Sequence, residues 1–194
     1  MENTDHRVAQ TSAPILGVLA QRWSPRSFDS TVTIDEKVLT SALEAARWSA
    51  SAANTQPWRL VVTRRGTSEF DTIVAALMGF NTTWASSAAV LIVAIAETID
   101  GDGKPLRWAE YDLGQAMAHL SVQAHSDGLH VHQMGGIFVD KLSEAFHLDA
   151  RFVPVSAVAL GVLGSPDLLD EKARERELAP RSRRPLDGTI LVNA

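Results

Sequence analysis

Ala88 to Ala96 carries no polar side chain in nine consecutive positions. A continuous apolar run of that length predicts a central strand covered on both faces rather than an amphipathic one. From Trp108 to Asp127 the apolar positions change period: Tyr111, Leu113, Met117, Leu120 and Val122 recur at helical spacing, and Gly128 follows as a C-terminal cap. That segment is nearly apolar all round, which predicts a buried central helix.

Shorter elements alternate with these two. Pro57 to Thr63 reads as a strand closed by the turn Arg64-Arg65-Gly66, and a helix follows from about Ser68 to Met78. Leu129 to Gln133 reads as a strand entering a Gly135-Gly136 turn, Asp140 as the cap of a helix to about Phe146, and Val155 to Val162 as another strand. Upstream, Pro14 to Gln21 predicts a short helix that Pro25 breaks. Thr33 with Glu36 makes a capping box for a helix to about Trp48, with Leu39, Leu43 and Ala46 on one face. After Ser165 the chain is highly charged, and only Thr189 to Val192 again looks like a strand. The division expected is an arm over residues 1–12 and a single domain over 13–194.

With 194 residues, 45% hydrophobic and 21% charged, the chain can build one substantial core. It has no cysteine, so disulfides, thiol nucleophiles and thiolate metal sites are excluded and redox chemistry must come from a cofactor. The segment Met1 to Pro14 lacks the pattern of an export signal, and the longest apolar run is about half of the ~20 residues that span a bilayer. A soluble cytoplasmic protein is expected. A net charge of −5 argues against general affinity for nucleic acid or anionic membranes. Fourteen arginines stand against four lysines, and Arg suits bidentate phosphate recognition.

Arg22 and Arg26 lie at one end of the globular region and Arg181, Arg183 and Arg184 at the other. If the ends meet, both groups can converge on a phosphate; otherwise they are two solvated clusters. Ser49-Ala50-Ser51-Ala52-Ala53-Asn54 is polar only through small side chains, which admits a flat ring against the backbone or simply ends a helix. His130 and His132 share a strand face without a third ligand at metal spacing, so no metal is expected. His119 and His125 read as packing residues, Asp170 to Glu177 as a solvated face, and Trp58 and Trp108 as core. Trp23 and Trp84 adjoin the polar pocket candidates. Gly161-x-x-Gly164 lacks the spacing of a dinucleotide fingerprint.

Taken in order, Arg22-x-Ser24-x-Arg26, Ser51-x-x-Asn54-x-Gln56-Pro57-Trp58 and Arg181-Ser182-Arg183 resemble the nitroreductase family of flavin enzymes over about Leu16 to Val192. The resemblance implies an α+β fold, with a central mixed or antiparallel sheet flanked by helices and a C-terminal strand exchanged in a homodimer. It implies FMN as cofactor, with Arg22, Trp23, Ser24 and Arg26 along its phosphate, ribityl chain and pyrimidine edge and Arg181 and Arg183 on the phosphate. Ser49, Ala50, Ser51 and Asn54 would meet the flavin bound mainly by the other subunit. Asn81 would address the ring, and Gln133, Met134, Gly135 and Gly136 would offer backbone N–H groups to N5 and O4. Where some members carry a basic residue, this chain has Trp84, which would wall the substrate pocket. The implied reaction passes hydride from NAD(P)H through flavin N5 to a small acceptor by a ping-pong mechanism. No catalytic side chain is implied. A flavin-binding protein without turnover, a flavin dehydrogenase or dehalogenase on the same fold, and a non-flavin module docking an acidic partner are the alternatives.

Overall fold

A computed structural model describes residues 7–193. The elements in order are α1 (Gly17–Gln21), α2 (Glu36–Arg47), β1 (Trp58–Arg64), α3 (Ser68–Ala75), β2 (Val90–Glu97), α4 (Ala109–Ser126), β3 (His130–Met134), α5 (Val139–Ala145), β4 (Phe152–Gly161) and α6 (Glu171–Leu178). The four strands form one sheet in the order β1-β2-β4-β3, with every neighbouring pair antiparallel. The fold is α+β, as expected.

Every residue of β2 is buried. Val90, Ile92, Ala94 and Ala96 face Leu39 and Ala42 of α2 and Leu113, Met117 and Leu120 of α4. The alternate residues Leu91, Val93 and Ile95 face Phe70 and Ile73 of α3 and Leu142 of α5. Helices on both sides of the sheet therefore explain the unbroken apolar run. Pro154 lies opposite Ile95 at a register shift in β4. Because β3 pairs only with Ala157 to Gly161, the missing N–H of Pro154 leaves no ladder bond broken on that side.

Several local expectations change. Asp35, not Thr33, caps α2: its carboxylate accepts from the Lys37 N–H at 2.8 Å, while Glu36 pairs with Arg64 across to β1. α3 ends at Ala75 because the next residues pair with the turn after β3, Phe138 N–H donating to Ala76 at 2.8 Å and Met78 N–H to Gly136 at 2.8 Å. No side-chain bond caps α5, so the assignment to Asp140 fails. α4 is buried on one side only, with Tyr111, Gly114, Ala118 and His119 exposed. Trp108 is half exposed rather than core. Thr189 to Val192 forms no strand within the chain, and Leu191 is 96% exposed.

The loop Arg22 to Phe28 is clasped to the segment after β4. Gly164 N–H donates to Ser27 O at 3.0 Å, Ser27 Oγ to Ser165 O at 2.6 Å, and Phe28 bridges Leu163. A Cβ on Gly164 would stand 2.7 Å from the Phe28 carbonyl carbon, and one on Gly161 2.7 Å from the Phe28 ring. Those two glycines serve this close approach.

Candidate functional site

Both ends of the domain do meet. Arg22 and Arg26 from the loop after α1 and Arg181 and Arg183 from the segment after α6 line one cavity of about 350 Å³, together with Trp23 and Ser24. Arg7 and Arg176 join them, whereas Arg184 is not part of the wall. Arg7, which precedes α1, is buried. Its guanidinium lies 4.2 Å from the Trp23 ring centroid and donates to Ala179 O at 3.0 Å. Arg181 donates to Arg7 O at 2.6 Å and Ala20 O at 2.8 Å, tying the N-terminal segment to the C-terminal one.

Six guanidiniums in one cavity leave a concentrated positive field. Burial lowers the pKa of Arg22, with Arg183 adding to the effect; Arg181 is lowered by burial and then by Arg22, Arg183 and Arg7. Arg22 and Arg181 both stay charged, since a guanidinium titrates far above neutral pH. One anion enters the wall from behind: Glu177 is 1% exposed and accepts from the backbone N–H of Arg26 at 2.8 Å and of Ser27 at 3.3 Å. Burial raises its pKa, while those two bonds and the charges of Arg26 and Arg7 oppose the rise. The expectation that Asp170 to Glu177 is simply a solvated face is corrected here. Ala173, four residues before Glu177, is buried too, and that helical spacing was the available signal.

Arg22 and Ser24 also border a smaller cavity of about 220 Å³ with Ser121 of α4 and Val131 and Gln133 of β3. Gln133 Nε2 donates to Ser121 Oγ at 3.1 Å. Beyond β3, the Asn81 amide lies 3.1 Å from where a Cβ on Gly136 would project, so the structure brings Asn81 to the Gly135-Gly136 turn. Met134, at the end of β3, is buried. Arg26 reaches the same region, 5.9 Å from the Phe80 ring centroid. The loop's backbone is held from below, His132 Nδ1 bonding to Pro25 O at 2.8 Å.

Trp84 is not a pocket wall. It is 2% exposed, 4.5 Å from His132 and 6.3 Å from Phe28 between ring centroids, and its indole N–H has no partner among the described residues. His130 packs against His125 at 5.2 Å, and His119 is exposed rather than packed. Among the described residues no group of three His, Asp or Glu side chains could hold a metal ion.

Ser49 to Asn54 lies elsewhere, at the start of α4. Ala52 N–H donates to Asp112, a 2%-exposed carboxylate, at 3.0 Å. Ser51 Oγ accepts from Gln56 N–H at 3.0 Å, and the buried Ser49 hydroxyl has no partner among the described residues. Ala53, Asn54 and Gln56 all have positive φ, at 51°, 56° and 49°. Three such non-glycine residues in four positions are unusual strain, of the kind that collects at binding sites. Ala50 and Ser51 line a cavity of about 520 Å³ with Trp108 and Tyr111, and none of the arginines shares it. Within one chain, then, the arginine cavity and the cavity beside Ser51 are separate. Sequence reasoning did not find Arg7, Arg176, Glu177 or Asp112.

The family model described as the nitroreductase family matches residues 19–162. A protein solved as an oxidoreductase containing FMN superposes with a TM-score of 0.89 at 35% identity, covering 98% of this chain and 96% of that one. A nitroreductase family protein from Streptococcus pneumoniae TIGR4, 19% identical over 91% of this chain and 98% of its own, superposes at 0.73 and shows the shared fold. A 15.4 kDa protein of Mycolicibacterium smegmatis is 35% identical over 136 residues, which is 66% of this chain and 91% of that one.

Proposed function

Since the chain belongs to the nitroreductase family, we propose that it is an FMN-dependent oxidoreductase acting as a homodimer, with NAD(P)H as donor and a small organic molecule as acceptor. The observation that carries the reading is the convergence of Arg22, Arg26, Arg181 and Arg183 on one cavity. A dianionic phosphate is the ligand that this charge fits.

The remaining polar groups suit the rest of an FMN molecule. Ser24 and Gln133 border the same side as Arg22 and supply neutral hydrogen-bonding groups for a ribityl chain. Asn81 and the Gly135-Gly136 backbone form a small-residue cradle where an added Cβ at Gly136 would meet an amide rather than open space. Arg26 offers fixed positive charge beside that cradle for the electron-rich edge of a ring system. When bound, FMN would supply reversible two-electron chemistry between NAD(P)H and a nitroaromatic, quinone or activated alkene. The protein's own part is orientation, charge and exclusion of water; no side chain is assigned as nucleophile or acid.

Two features support the homodimer. The exposed side of α4 carries Tyr111, Gly114 and Ala118, a surface with no charged residue among these three. Leu186, Ile190, Leu191 and Val192 extend apolar and exposed beyond the last helix, as a segment exchanged with a partner would. In such a dimer Ser51 and Asn54 of one chain complete the site begun by the arginines of the other.

The test is an absorption spectrum of the purified protein before and after anaerobic addition of NADH or NADPH. A flavin band that bleaches with either donor is expected. Absence of a band even after reconstitution with FMN overturns the cofactor assignment, and a band that persists with both donors leaves a flavin-binding protein without turnover.

A further inference from the structure

The loop that carries Arg22, Ser24 and Arg26 contains one peptide, Pro25 to Arg26, whose two polar atoms are both held by side chains from distant elements. The Arg26 N–H donates to Glu177 of α6 at 2.8 Å, and Pro25 O bonds to His132 Nδ1 of β3 at 2.8 Å. A carbonyl only accepts, so His132 carries a proton on Nδ1. Trp84 packs on the imidazole, 4.5 Å between ring centroids, and Phe28 packs on Trp84. Trp84 also closes the turn Gly79–Thr83, its backbone N–H donating to Asn81 O. The imidazole is thereby in contact with the segment that brings Asn81 to the Gly135-Gly136 turn. From this arrangement we infer that His132 is a positioning residue: its Nδ1–H sets the orientation of the Pro25–Arg26 peptide and, with it, the span between the arginine cavity and the Asn81 turn. The inference rests on the flavin reading above, and the ligand whose fit it governs is a phosphorylated one.

Packing alone does not account for these contacts. Proline has no N–H, so the carbonyl is the one backbone hydrogen-bonding group at position 25. Bonded to water, that carbonyl would leave the peptide plane free to rotate, and rotation would redirect the flanking side chains Ser24 and Arg26. Bonded to His132, it is tied to the sheet, where His132 pairs with Ala159 of β4. Binding groups work within roughly 0.5 Å of their best geometry, and phosphate contacts are short, about 2.7–2.9 Å, so a loop set loose forfeits them.

The choice of imidazole also fits the surroundings. Burial pushes the His132 pKa down to about 4; the Pro25 bond opposes the fall and the charge of Arg26 adds to it. At neutral pH the ring is an uncharged donor. A lysine or arginine at this position would donate too, but would add like charge beside Arg26, while a carboxylate could not donate at all. An uncharged donor fixes the loop and leaves the field of the arginine cavity to the ligand.

The experiment titrates full-length wild type, His132→Asn, His132→Gln and His132→Phe with FMN and with riboflavin, which lacks the phosphate. Asn places an amide nitrogen where Nδ1 stands, Gln places one where Nε2 stands, and Phe keeps a ring against Trp84 without a donor. FMN affinity is expected to stay within about twofold of wild type in His132→Asn and to fall about tenfold in His132→Gln and His132→Phe, through loss of one buried hydrogen bond. The ratio of FMN to riboflavin affinity is expected to fall about fivefold in the latter two, because the phosphate contacts are the ones that need the loop in place. Equal losses for both flavins, or an Asn variant no better than the Gln variant, overturn the inference and leave His132 a packing residue. Should His132→Phe fail to fold, the Asn and Gln pair, alike in polarity, decides the matter. Failure of the flavin reading looks different, since wild type then binds neither flavin. The variants are then compared by the rise in melting temperature on adding inorganic phosphate: a rise kept in His132→Asn and lost in His132→Gln upholds the positioning role, and an equal response in both overturns it.

Discussion

Glu177 accepts a hydrogen bond of 2.8 Å from the backbone N–H of Arg26, a residue 151 positions earlier in the chain. A buried carboxylate on α6 thereby fixes the backbone of the loop that carries Arg22, Ser24 and Arg26. Glu177→Ala strips the acceptor from the Arg26 and Ser27 N–H groups, and a buried donor left unsatisfied costs about 1–3 kcal/mol. Thermal melts are expected to show a fall of several degrees, and FMN titration an affinity at least tenfold weaker. Glu177→Gln, which keeps one acceptor oxygen, falls between. A variant that melts lower yet binds FMN with unchanged affinity refutes the positioning role.

Arg22 touches both cavities of the proposed phosphate and ribityl region, while Arg184 lies outside their walls. Arg22→Ala should weaken FMN binding about 10- to 100-fold, the range for losing a charge-assisted hydrogen bond of about 1.5–3 kcal/mol. Its affinity should also depend less steeply on salt. Arg184→Ala should change neither quantity. Equal losses in the two variants would mean a diffuse field rather than a site.

Gly164→Ala places a methyl group 2.7 Å from the Phe28 carbonyl carbon, which is backbone and cannot rotate aside. Forcing that separation is expected to cost about 1–3 kcal/mol and to loosen the clasp on the arginine loop. Chemical denaturation measures the first effect and FMN affinity the second. Wild-type stability in Gly164→Ala would show that the loop and the segment after β4 can part freely.

Truncation after Arg184 keeps every arginine of the cavity but removes Leu186, Ile190, Leu191 and Val192, all exposed within the chain. Sedimentation analysis is expected to show monomer, with the fold retained by circular dichroism and turnover lost. A truncated chain that stays dimeric excludes an exchanged segment as the main source of association.

Burial lowers the pKa of both His130 and His132 to about 4. In the unfolded chain each takes up a proton near pH 6.5, whereas the folded protein resists protonation until about pH 4. Stability carried by the neutral imidazoles is therefore complete above pH 6.5 and lost as pH falls from 6.5 toward 4, up to roughly 3 kcal/mol for each group. Glu177, whose pKa is raised, works in the opposite direction as a single group. Melting temperature should fall over that window, and His130→Phe should flatten the slope. A melting temperature constant from pH 7 to 4.5 would contradict the burial argument.

What could be read from the sequence divides along physical lines. β2 and α4 were legible because their apolar periods run long enough to outweigh local ambiguity. The arginine clusters were legible as residue types, but their meeting depends on the Phe28 and Gly164 clasp, a contact between distant segments. Trp84 and Trp108 exchanged the places expected of them, one enclosed by Phe28 and His132 and the other left open beside Tyr111, because burial of a tryptophan is set by tertiary neighbours. Thr33 and Asp35 both cap well, and only geometry decides for Asp35. Glu177 looked like one charge among many until packing brought two backbone N–H groups to it.

Because its walls come from Arg7 near one end and Arg183 near the other, the arginine cavity cannot exist on a growing chain. A ribosome releases N-terminal segments first, so α1 and the loop after it are exposed for the whole of synthesis with their positive charge unmatched. In the FMN reading proposed above, cofactor loading then waits until Arg181 and Arg183 have been made. On that reading yellow colour reports that Arg181 and Arg183 have been made and folded against Arg7: polypeptides stopped before residue 181 would emerge colourless.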